Sequence, residues 1–404
     1  MAQVHQVLAT LSYGDAIGHE VLGIQRALLA AGHASEIFVE TAHPKLESMT
    51  RDYRDLKDSV GDNNLLIHHF SIGSKASRVA YATPAKMILV YHNITPPHYF
   101  LGVNDELVRR CYLGRRELRA YAGRCELALG DSEFNRQELE AIGFPRTGVL
   151  PVVSDFSHLD VAPDPMLAGP FDDGWTNILF VGRMIPNKRF DQLIRCFHVY
   201  RTRFNPRSRL LLVGSTAGFE EHRTQLLALA ARLGTPDVHL TGMVTNEQLV
   251  AFYEIADLFV SASEHEGFCV PIIEAFYMGV PVLAYAAAAV PGTMNGGGVL
   301  YDTQDPFEVA ALMDGILRDV DLRERVLDSQ DAALDRLMAH DFDGILRGFV
   351  DRTLASPRQA QYRVAFDFWR QFDAHERLWA LKRIRPALYE AVPAASGVQG
   401  QGIR

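Results

Sequence analysis

The sequence predicts an α/β protein built from two doubly wound domains that face each other across a cleft. Short apolar runs alternate with longer segments of helical periodicity through both halves of the chain, which is typical of parallel sheets covered by helices on both faces. The length of 404 residues is too great for one ordinary domain and sufficient for two. Residues 153–175 are rich in Asp, Pro and Gly and show no periodicity, as is typical of a linker.

The composition is that of a globular protein, with 48% hydrophobic and 22% charged residues, which excludes a disordered or fibrous chain. Lys and Arg number 40 and Asp and Glu 49, so the net charge is −9. An acidic chain is a poor generic nucleic-acid binder. The four cysteines are far apart, so we expect free thiols in a reducing compartment and no zinc site or disulfide framework. The first residues lack the basic and apolar pattern of a signal peptide, and no apolar run of 18 residues occurs. We therefore expect no signal peptide and a cytoplasmic protein.

The apolar runs predict the strands of both sheets. In the first half they cover residues 4–11, 35–40, 63–70, 86–93 and 127–132, and in the second half residues 177–183, 209–214, 238–242, 258–263 and 281–286. Helical periodicity is clearest at residues 19–32, 189–204 and 220–234, and the region from about 305 to 390 is mostly helical. We place the first domain at residues 1–155, the second at 156–364 and a frayed tail at 391–404.

Ligands of such sheets bind outside the carboxyl ends of the strands, so the loops that follow strands are the candidate sites. The first of these loops runs from Ser12 to His19. Gly14 and Gly18 would let a ligand approach the main chain, and the helix that follows would present its N-terminus to an anion. The pattern is not G-x-G-x-x-G, and an ordinary strand–helix turn explains it equally well.

His92 lies at the end of the predicted strand 86–93, before two prolines that stop a helix. A histidine at this place can exchange hydrogen bonds across the cleft. A satisfied core histidine is the alternative, and it is the commoner one for a lone histidine. His68 and His69, at the end of the preceding strand, are weaker functional candidates, and packing or support of a neighbouring residue explains them better.

Arg183 and Lys188 lie five residues apart in the loop after the strand 177–183. This spacing lets both cations converge on one anion, and an arginine can bind phosphate oxygens with two nitrogens. A solvated basic turn is the alternative.

The segment SEHEGFCVPIIEA, residues 263–275, is the strongest motif. Glu266 closes the loop after a predicted strand, and a helix begins near Val270 with Pro271 in its first turn. Glu274 then lies one turn into that helix.

The backbone amides of residues 268–270 would form an anion cradle at this helix N-terminus. Paired carboxylates often indicate acid–base catalysis, as in glycosidases, but a pair beside an anion cradle is better suited to holding hydroxyl groups. Compensation of the helix dipole is the alternative explanation of Glu274.

Four motifs together resemble retaining glycosyltransferases of family 4, which have the GT-B fold: G-R-x₄-K at 182–188, E-x₇-E at 266–274, the turn NGGG at 295–298 and DSEFN at 131–135. The loops GDAIG, YHNITP and SEHEGFCVP also resemble those of bacterial surface-polysaccharide mannosyltransferases. The resemblance implies two facing Rossmann-like domains, of which the first binds the acceptor and the second the nucleotide-sugar donor. It further implies that a C-terminal helix at about 365–390 packs back on the first domain.

The resemblance also assigns roles to residues. Arg183 and Lys188 would bind the donor diphosphate, Glu274 the ribose and Glu266 the sugar hydroxyls, and His92 would lie near the reacting sugar. The implied catalytic residues are therefore His92, Glu266, Arg183 and Lys188. The implied donor-binding residues are Gly14, Gly18, Arg183, Lys188, Gly242, Met243, Val244, Glu266, Gly267, Phe268, Cys269, Val270 and Glu274. One departure is the first loop, GDAIG, which lacks the double glycine of many family members.

The expected function is transfer of a hexose, with mannose favoured, from a nucleotide sugar to a glycan or lipid-linked acceptor in polysaccharide biosynthesis. Retention by front-face attack would let the leaving phosphate take the acceptor proton. No D-x-D motif follows a strand, so we expect no metal and no cofactor. The donor is a substrate, and a GDP-sugar is favoured over a UDP-sugar.

Three alternatives remain. A UDP-sugar-dependent transferase differs only in donor, a nucleotide-sugar hydrolysing epimerase would release free sugar, and a non-catalytic module would bind sugar nucleotide without turnover. A pyridoxal-type phosphorylase would need a Schiff-base lysine and a far longer chain.

A basic segment, residues 108–124, carries six arginines against one acid, Glu117. Basic residues bind anionic membrane surfaces, so a peripheral contact with the inner membrane face is one hypothesis. The alternative is a helix that packs its apolar face on the sheet and solvates its arginines. The six are Arg109, Arg110, Arg115, Arg116, Arg119 and Arg124.

Overall fold

The computed structural model describes residues 2–61, 64–153, 155–171 and 173–357. Within them the chain forms two parallel sheets, one of seven strands in the order β3-β2-β1-β4-β5-β6-β7 and one of six in the order β10-β9-β8-β11-β12-β13. In each sheet the strand order reverses beside the first strand in sequence. The prediction of two doubly wound α/β units is therefore confirmed.

The strands follow the predicted apolar runs within about two residues. They are β1 Val4–Leu11, β2 Ile37–Ala42, β3 Thr50–Asp52, β4 Leu65–Phe70, β5 Lys86–Tyr91, β6 Leu127–Gly130, β7 Thr147–Val149, β8 Thr176–Val181, β9 Ser208–Val213, β10 Val238–Gly242, β11 Leu258–Ser261, β12 Val282–Tyr285 and β13 Val299–Tyr301. The sequence analysis missed β3, β7 and β13. All three lie at sheet edges and have three residues each, so they bury too little to leave an apolar run.

Helices cover both faces of each sheet. They are α1 Ala16–Ala30, α2 Leu56–Ser59, α3 Lys75–Ala82, α4 Asp105–Tyr121, α5 Glu133–Ile142, α6 Pro165–Ala168, α7 Phe190–Arg203, α8 Glu220–Arg232, α9 Asn246–Glu254, α10 Val270–Tyr277, α11 Val290–Met294, α12 Pro306–Arg318, α13 Val320–Met338 and α14 Phe342–Ala355. Short 3₁₀ turns occupy Glu47–Met49, Tyr53–Asp55, Pro97–Phe100, Gly169–Phe171 and Pro186–Lys188.

The first helix begins earlier than the sequence suggests. The side chain of Asp15 caps α1 by accepting the N–H of Gly18 at 2.7 Å, which stabilises a helix start. Gly18 therefore lies in the first turn of the helix and not in the loop. A Cβ at this position would lie 2.3 Å from the carbonyl oxygen of Ser12, so only glycine fits.

The last described helix crosses to the first domain. Leu346 and Val350 of α14 pack in one apolar cluster with Val4 and Ile24, and the Nζ of Lys86 donates to carbonyls at the end of α14. Sequence analysis assigned this range to the second domain, 156–364, but its apolar face completes the core of the first. The predicted return helix at 365–390 and the tail at 391–404 lie outside the described residues.

The arginines of segment 108–124 are largely used inside the protein. Arg124 is 2% exposed and donates to the carbonyls of residues 81, 83 and 85. Arg115 donates to the carbonyl of Ile94 and to Glu138. Arg110 and Arg119 are exposed. The segment therefore does not form the continuous basic surface that the arginine count suggested.

Two further predictions concern the whole chain. The four cysteines are buried and form no disulfide, as expected. Among the described residues, no helix has the length and apolar character that a membrane crossing requires.

Candidate active site

The carboxyl ends of the two sheets meet where the loops after β5, β6 and β11 touch. The Oγ of Ser132 donates to the carbonyl of Gly267 at 2.6 Å, and the Nε2 of His265 lies 2.8 Å from the Oδ1 of Asn93. A Cβ at Gly267 would lie 2.8 Å from the Cβ of Asn93. Glycine is therefore required at 267 for this close contact between the domains.

The helix start predicted near Val270 is confirmed. α10 begins at Val270 with Pro271 in its first turn, and its N-cap, Cys269, has a left-handed backbone with φ of +81°. Within the described part of the chain, the backbone N–H groups of residues 268–270 donate no hydrogen bond. They are free to bind an anion at the helix N-terminus.

Lys188 and Glu266 form a buried ion pair beside this helix start. The Lys188 Nζ lies 2.6 Å from the Glu266 Oε1, and the side chains are 12% and 9% exposed. Burial lowers the pKa of Lys188, but Glu266 and Cys269 together raise it by more, so the pKa lies above its usual value. The ammonium therefore stays charged, and an incoming diphosphate would find a preorganised cation.

Arg183 contacts other partners. Its guanidinium lies 5.3 Å from the centre of the Phe219 ring and donates to the carbonyl of Ala217 at 3.4 Å. Convergence of Arg183 and Lys188 on a single point, which the spacing suggested, is not seen in this arrangement. The long, exposed side chain of Arg183 would have to leave Ala217 to reach an anion held by Lys188.

Glu274 is held by two side chains that sequence analysis missed. Its carboxylate oxygens lie 2.9 Å from the Nε2 of His158 and 2.9 Å from the hydroxyl of Tyr253. Burial lowers the pKa of His158, but Glu274 and Asp155 together raise it by more, and the net shift is upward. His158 lies in the segment interpreted as a linker and Tyr253 inside α9, so nothing in the local pattern marked them.

The surroundings of Glu274 connect both domains. The ring of His19 on α1 lies 5.3 Å from the ring of His158. Burial lowers the pKa of His19, and the neighbouring His158 lowers it further. His19 therefore reaches the second domain at this point.

Of the predicted backbone positions, Gly14 lies three residues after the end of β1, and Gly242 and Met243 lie at the end of β10. Gly14 has φ of +76° with open space where a Cβ would be, and Gly242, at the end of β10, has φ of +78°. Met243 follows and is 80% exposed. The sites that the resemblance implies for Gly14, Gly242, Met243 and Val244 stay predictions.

His92 is enclosed by protein groups. Its side chain is 2% exposed. The Nε2 lies 2.9 Å from the Nδ1 of His69, and the Nδ1 lies 3.6 Å from Glu20 and 3.8 Å from Asp131. Both ring nitrogens thus face protein atoms, which matches the core-histidine alternative and not direct contact with a sugar. His69 supports it, whereas His68 lies on the opposite face of β4 against Tyr121.

One cluster has the composition of a cation site. The nearest ligand atoms of Glu20, His92 and Asp131 lie within 4.8 Å of one another. Sequence analysis did not connect these residues, because they follow three different strands. The expectation of metal independence stays a prediction.

Comparisons with known proteins point to glycosyltransferases. Residues 169–329 match the family model of glycosyl transferases group 1. The O-antigen chain mannosyltransferase B of Escherichia coli is 27% identical over 205 residues, which are 49% of this chain and 53% of that protein. A D-inositol 3-phosphate glycosyltransferase of Salinispora arenicola is 31% identical over 200 residues, 48% of this chain and 44% of that protein. The chain thus spans about half the length of these relatives.

Solved structures share the fold. Sucrose-phosphate synthase of Thermosynechococcus elongatus superposes with a TM-score of 0.68 at 17% identity, covering 88% of this chain and 99% of that one. Anabaena HepE in complex with UDP-glucose gives a TM-score of 0.68 at 15% identity, covering 87% of this chain and 100% of that one. Residues 169–329 are therefore a glycosyltransferase group 1 domain, in a chain that has the GT-B fold.

Proposed function

We propose that the protein is a retaining glycosyltransferase that moves a hexose, mannose or a related sugar, from a nucleotide sugar to a glycan or lipid-linked acceptor in polysaccharide biosynthesis. The group at the start of α10 carries the proposal. Free N–H groups at residues 268–270, the cation of Lys188 and the carboxylates of Glu266 and Glu274 lie together at the carboxyl end of one sheet. An anion cradle flanked by hydroxyl acceptors suits a sugar diphosphate.

In this proposal each part of the donor is bound by different residues. Lys188 and the start of α10 hold the diphosphate and stabilise the charge that grows on it as the glycosidic bond breaks. Glu274, held by His158 and Tyr253, accepts hydrogen bonds from the ribose hydroxyls. Glu266 accepts hydrogen bonds from the hydroxyls of the sugar. The departing phosphate takes the acceptor proton in a front-face attack, so no protein base is needed.

The names of the relatives support mannose as the transferred sugar. The E. coli relative above is named a mannosyltransferase, as is the serotype-specific WbdA of E. coli, 24% identical over 246 residues. This favours GDP-mannose as donor. The HepE structure holds UDP-glucose, so a UDP-sugar is the second candidate.

Ligand binding and product analysis test the proposal. GDP, UDP and dTDP are compared by thermal shift, because a ligand at 100 times its Kd stabilises the folded state by about 2.7 kcal/mol. The nucleotide that binds is then supplied as its sugar donor, and the products are identified by mass spectrometry and the anomer by NMR. Release of free sugar alone would indicate a hydrolysing epimerase, and binding without turnover a non-catalytic module.

Metal independence and location belong to the same proposal. Activity unchanged by EDTA supports a metal-free reaction, whereas loss that Mg²⁺ or Mn²⁺ restores would refute it. The four buried free thiols favour the reducing cytoplasm. A peripheral membrane contact through residues 109–124 has weaker support, since only Arg110 and Arg119 of the six arginines are exposed. Co-sedimentation with anionic and neutral liposomes at low and high salt tests it.

A further inference from the structure

One side chain of the second domain is buried in the core of the first. Phe219 follows β9 at the start of α8, and it is only 2% exposed. Its ring lies in the apolar cluster that the first domain builds from β1, β4, β5 and α4, where the ring of Phe100 is 6.2 Å away. A large aromatic side chain enclosed by the partner surface is typical of the residues that dominate the energy of an interface. Phe219 is therefore an anchor between the two domains.

A hydrogen bond beside the ring holds the same loop. The Nδ2 of Asn104 donates to the carbonyl of Gly218 at 3.2 Å, and the Oδ1 of Asn104 caps α4 by accepting the N–H of Leu107 at 3.0 Å. The two halves of this amide therefore have separate partners, one across the domain boundary and one within the first domain. An aspartate would keep the cap but could not donate to Gly218.

The loop with the two predicted phosphate-binding cations, residues 183–188, rests on the same part of the first domain, and we call it the cation loop. Its Ile185 packs against the apolar cluster that encloses Phe219. Its turn Pro186–Lys188 contacts the turn Pro97–Phe100 of the first domain. The first domain therefore supports the cation loop, although this loop belongs to the second domain.

The loop after β9, which carries Phe219, is in direct contact with the cation loop. The backbone N–H of Met184 donates to the carbonyl of Ser215 at 2.9 Å. A Cβ at Gly214 would lie 2.1 Å from the carbonyl oxygen of Gly182, so only glycine fits there. Because Gly182 and Met184 flank Arg183 in sequence, a shift of the loop after β9 displaces the backbone on both sides of Arg183.

The side chain of Arg183 also contacts the anchor. Its guanidinium lies 5.3 Å from the centre of the Phe219 ring and donates to the carbonyl of Ala217 at 3.4 Å. The face of an aromatic ring attracts a cation, whereas a hydrogen bond of this length is weak. A diphosphate would bind the guanidinium more strongly than the carbonyl does, because the hydrogen bonds would be charge-assisted and bidentate. Arg183 can therefore exchange the carbonyl of Ala217 for a diphosphate.

We propose that Phe219 is a positioning residue that ties the placement of Arg183 and Lys188 to the docking of the two domains. With Phe219 seated in the first domain, the cation loop is fixed at the cleft, where its cations bind the donor diphosphate. With Phe219 withdrawn, the loop loses its support and the cations lose their fixed positions. The inference rests on the proposed function and adds to it a residue outside the proposed donor-binding set.

The test uses three variants and a matched control in the full chain. Phe219→Ala removes the anchor, whereas Phe219→Leu keeps a large apolar side chain in its place. Asn104→Asp keeps the cap of α4 and sets a carboxylate against the carbonyl of Gly218. Phe197→Leu is the control, because Phe197 is buried within the second domain's own core and lies outside the interface.

Two measurements separate docking from binding. Docking is followed without ligand by hydrogen exchange of the backbone amides of residues 97–104 and 215–223, measured by mass spectrometry. Calorimetry gives the affinities for GDP, GMP, UDP and UMP. The ratio of diphosphate to monophosphate affinity reports the contact with the second phosphate, and a general loss of stability would not change this ratio. The kcat of each variant is measured with the sugar donor of the nucleotide that binds.

We expect Phe219→Ala and Asn104→Asp to speed hydrogen exchange in both segments and to leave that of α13 unchanged. In Phe219→Ala the affinity ratio should fall about tenfold, the scale of one lost hydrogen bond to a charged group. Its kcat should fall by about 100-fold, as for a small misplacement at the reacting centre. Phe219→Leu should restore both quantities, and Phe197→Leu should change neither. If Phe219→Ala does not fold, Asn104→Asp should lower the same ratio.

Three outcomes would overturn the proposal. They are unchanged hydrogen exchange in Phe219→Ala, an unchanged affinity ratio in Phe219→Ala, and an equal loss of kcat in Phe219→Leu and Phe219→Ala. The hydrogen exchange needs neither nucleotide nor turnover. A wild type that binds neither GDP nor UDP would refute the proposed function and with it the link to the diphosphate, whereas docking through Phe219 would still be decided by hydrogen exchange.

Discussion

Replacing Glu20 with glutamine should stabilise the protein above neutral pH, even though Glu20 is buried. Burial raises the pKa of Glu20 from 4.5 to about 7. Between these two values the unfolded chain has lost the proton and the folded chain retains it. The free energy of unfolding therefore falls as the pH rises from about 4.5 to 7 and stays lower above that range. Glutamine cannot ionise, so this loss is absent in the variant.

The pKa difference sets the size of the effect. A shift from 4.5 to about 7, at about 1.4 kcal/mol per pH unit, corresponds to about 3.5 kcal/mol above pH 7. The gain from glutamine is smaller, because Glu20 also helps to raise the pKa of His92. The stability from that raised pKa is fully present below pH 6.5 and is lost as the pH rises through the folded-state value. Glutamine removes part of it.

Urea unfolding at pH 5 and pH 8 measures the effect. Glu126→Gln is the matched control: Glu126 is 4% exposed, but its carboxylate accepts the N–H of Met87 at 2.6 Å. The control should lose about 1 kcal/mol at both pH values. Glu20→Gln should gain stability at pH 8 and change little at pH 5. Equal destabilisation at both pH values would refute the reasoning, since Glu20 would then be a satisfied structural group.

Three further predictions concern the proposed donor site. Lys188→Ala should lower kcat/KM by 10²–10³, about 3–4 kcal/mol in transition-state stabilisation. The variant loses the cation at the diphosphate and leaves the Glu266 charge unpaired. Near-normal kcat/KM would exclude Lys188 from the site. Glu274→Gln should weaken nucleoside diphosphate binding by about 1.5–3 kcal/mol in calorimetry, whereas the exposed Glu254→Gln should bind as the wild type does. Gly267→Ala should lower kcat, because its Cβ would lie 2.8 Å from Asn93 and separate the domains; turnover equal to that of the wild type would show that this contact is dispensable.

The fold and the helix at the proposed donor site could be predicted from the sequence because their causes are local. A parallel strand buried on both faces must be an apolar run, and strands such as β8 and β11 were recognised in this way. The start of α10 follows from Pro271 and from the loop that ends at Gly267. The three-residue edge strands were missed because they bury too few side chains to leave an apolar run.

Only the tertiary structure decided which polar side chains meet. His158 contacts Glu274 from 116 residues away, and Glu20, His92 and Asp131 come together because α1, β5 and β6 meet at the same edge of one sheet. The same holds for α14, whose apolar face packs on the first sheet although its sequence follows the second domain. Periodicity records how each segment is buried. It does not record which segment lies beside it, because strand order and chain crossing set the neighbours, and these depend on the packing of the whole chain.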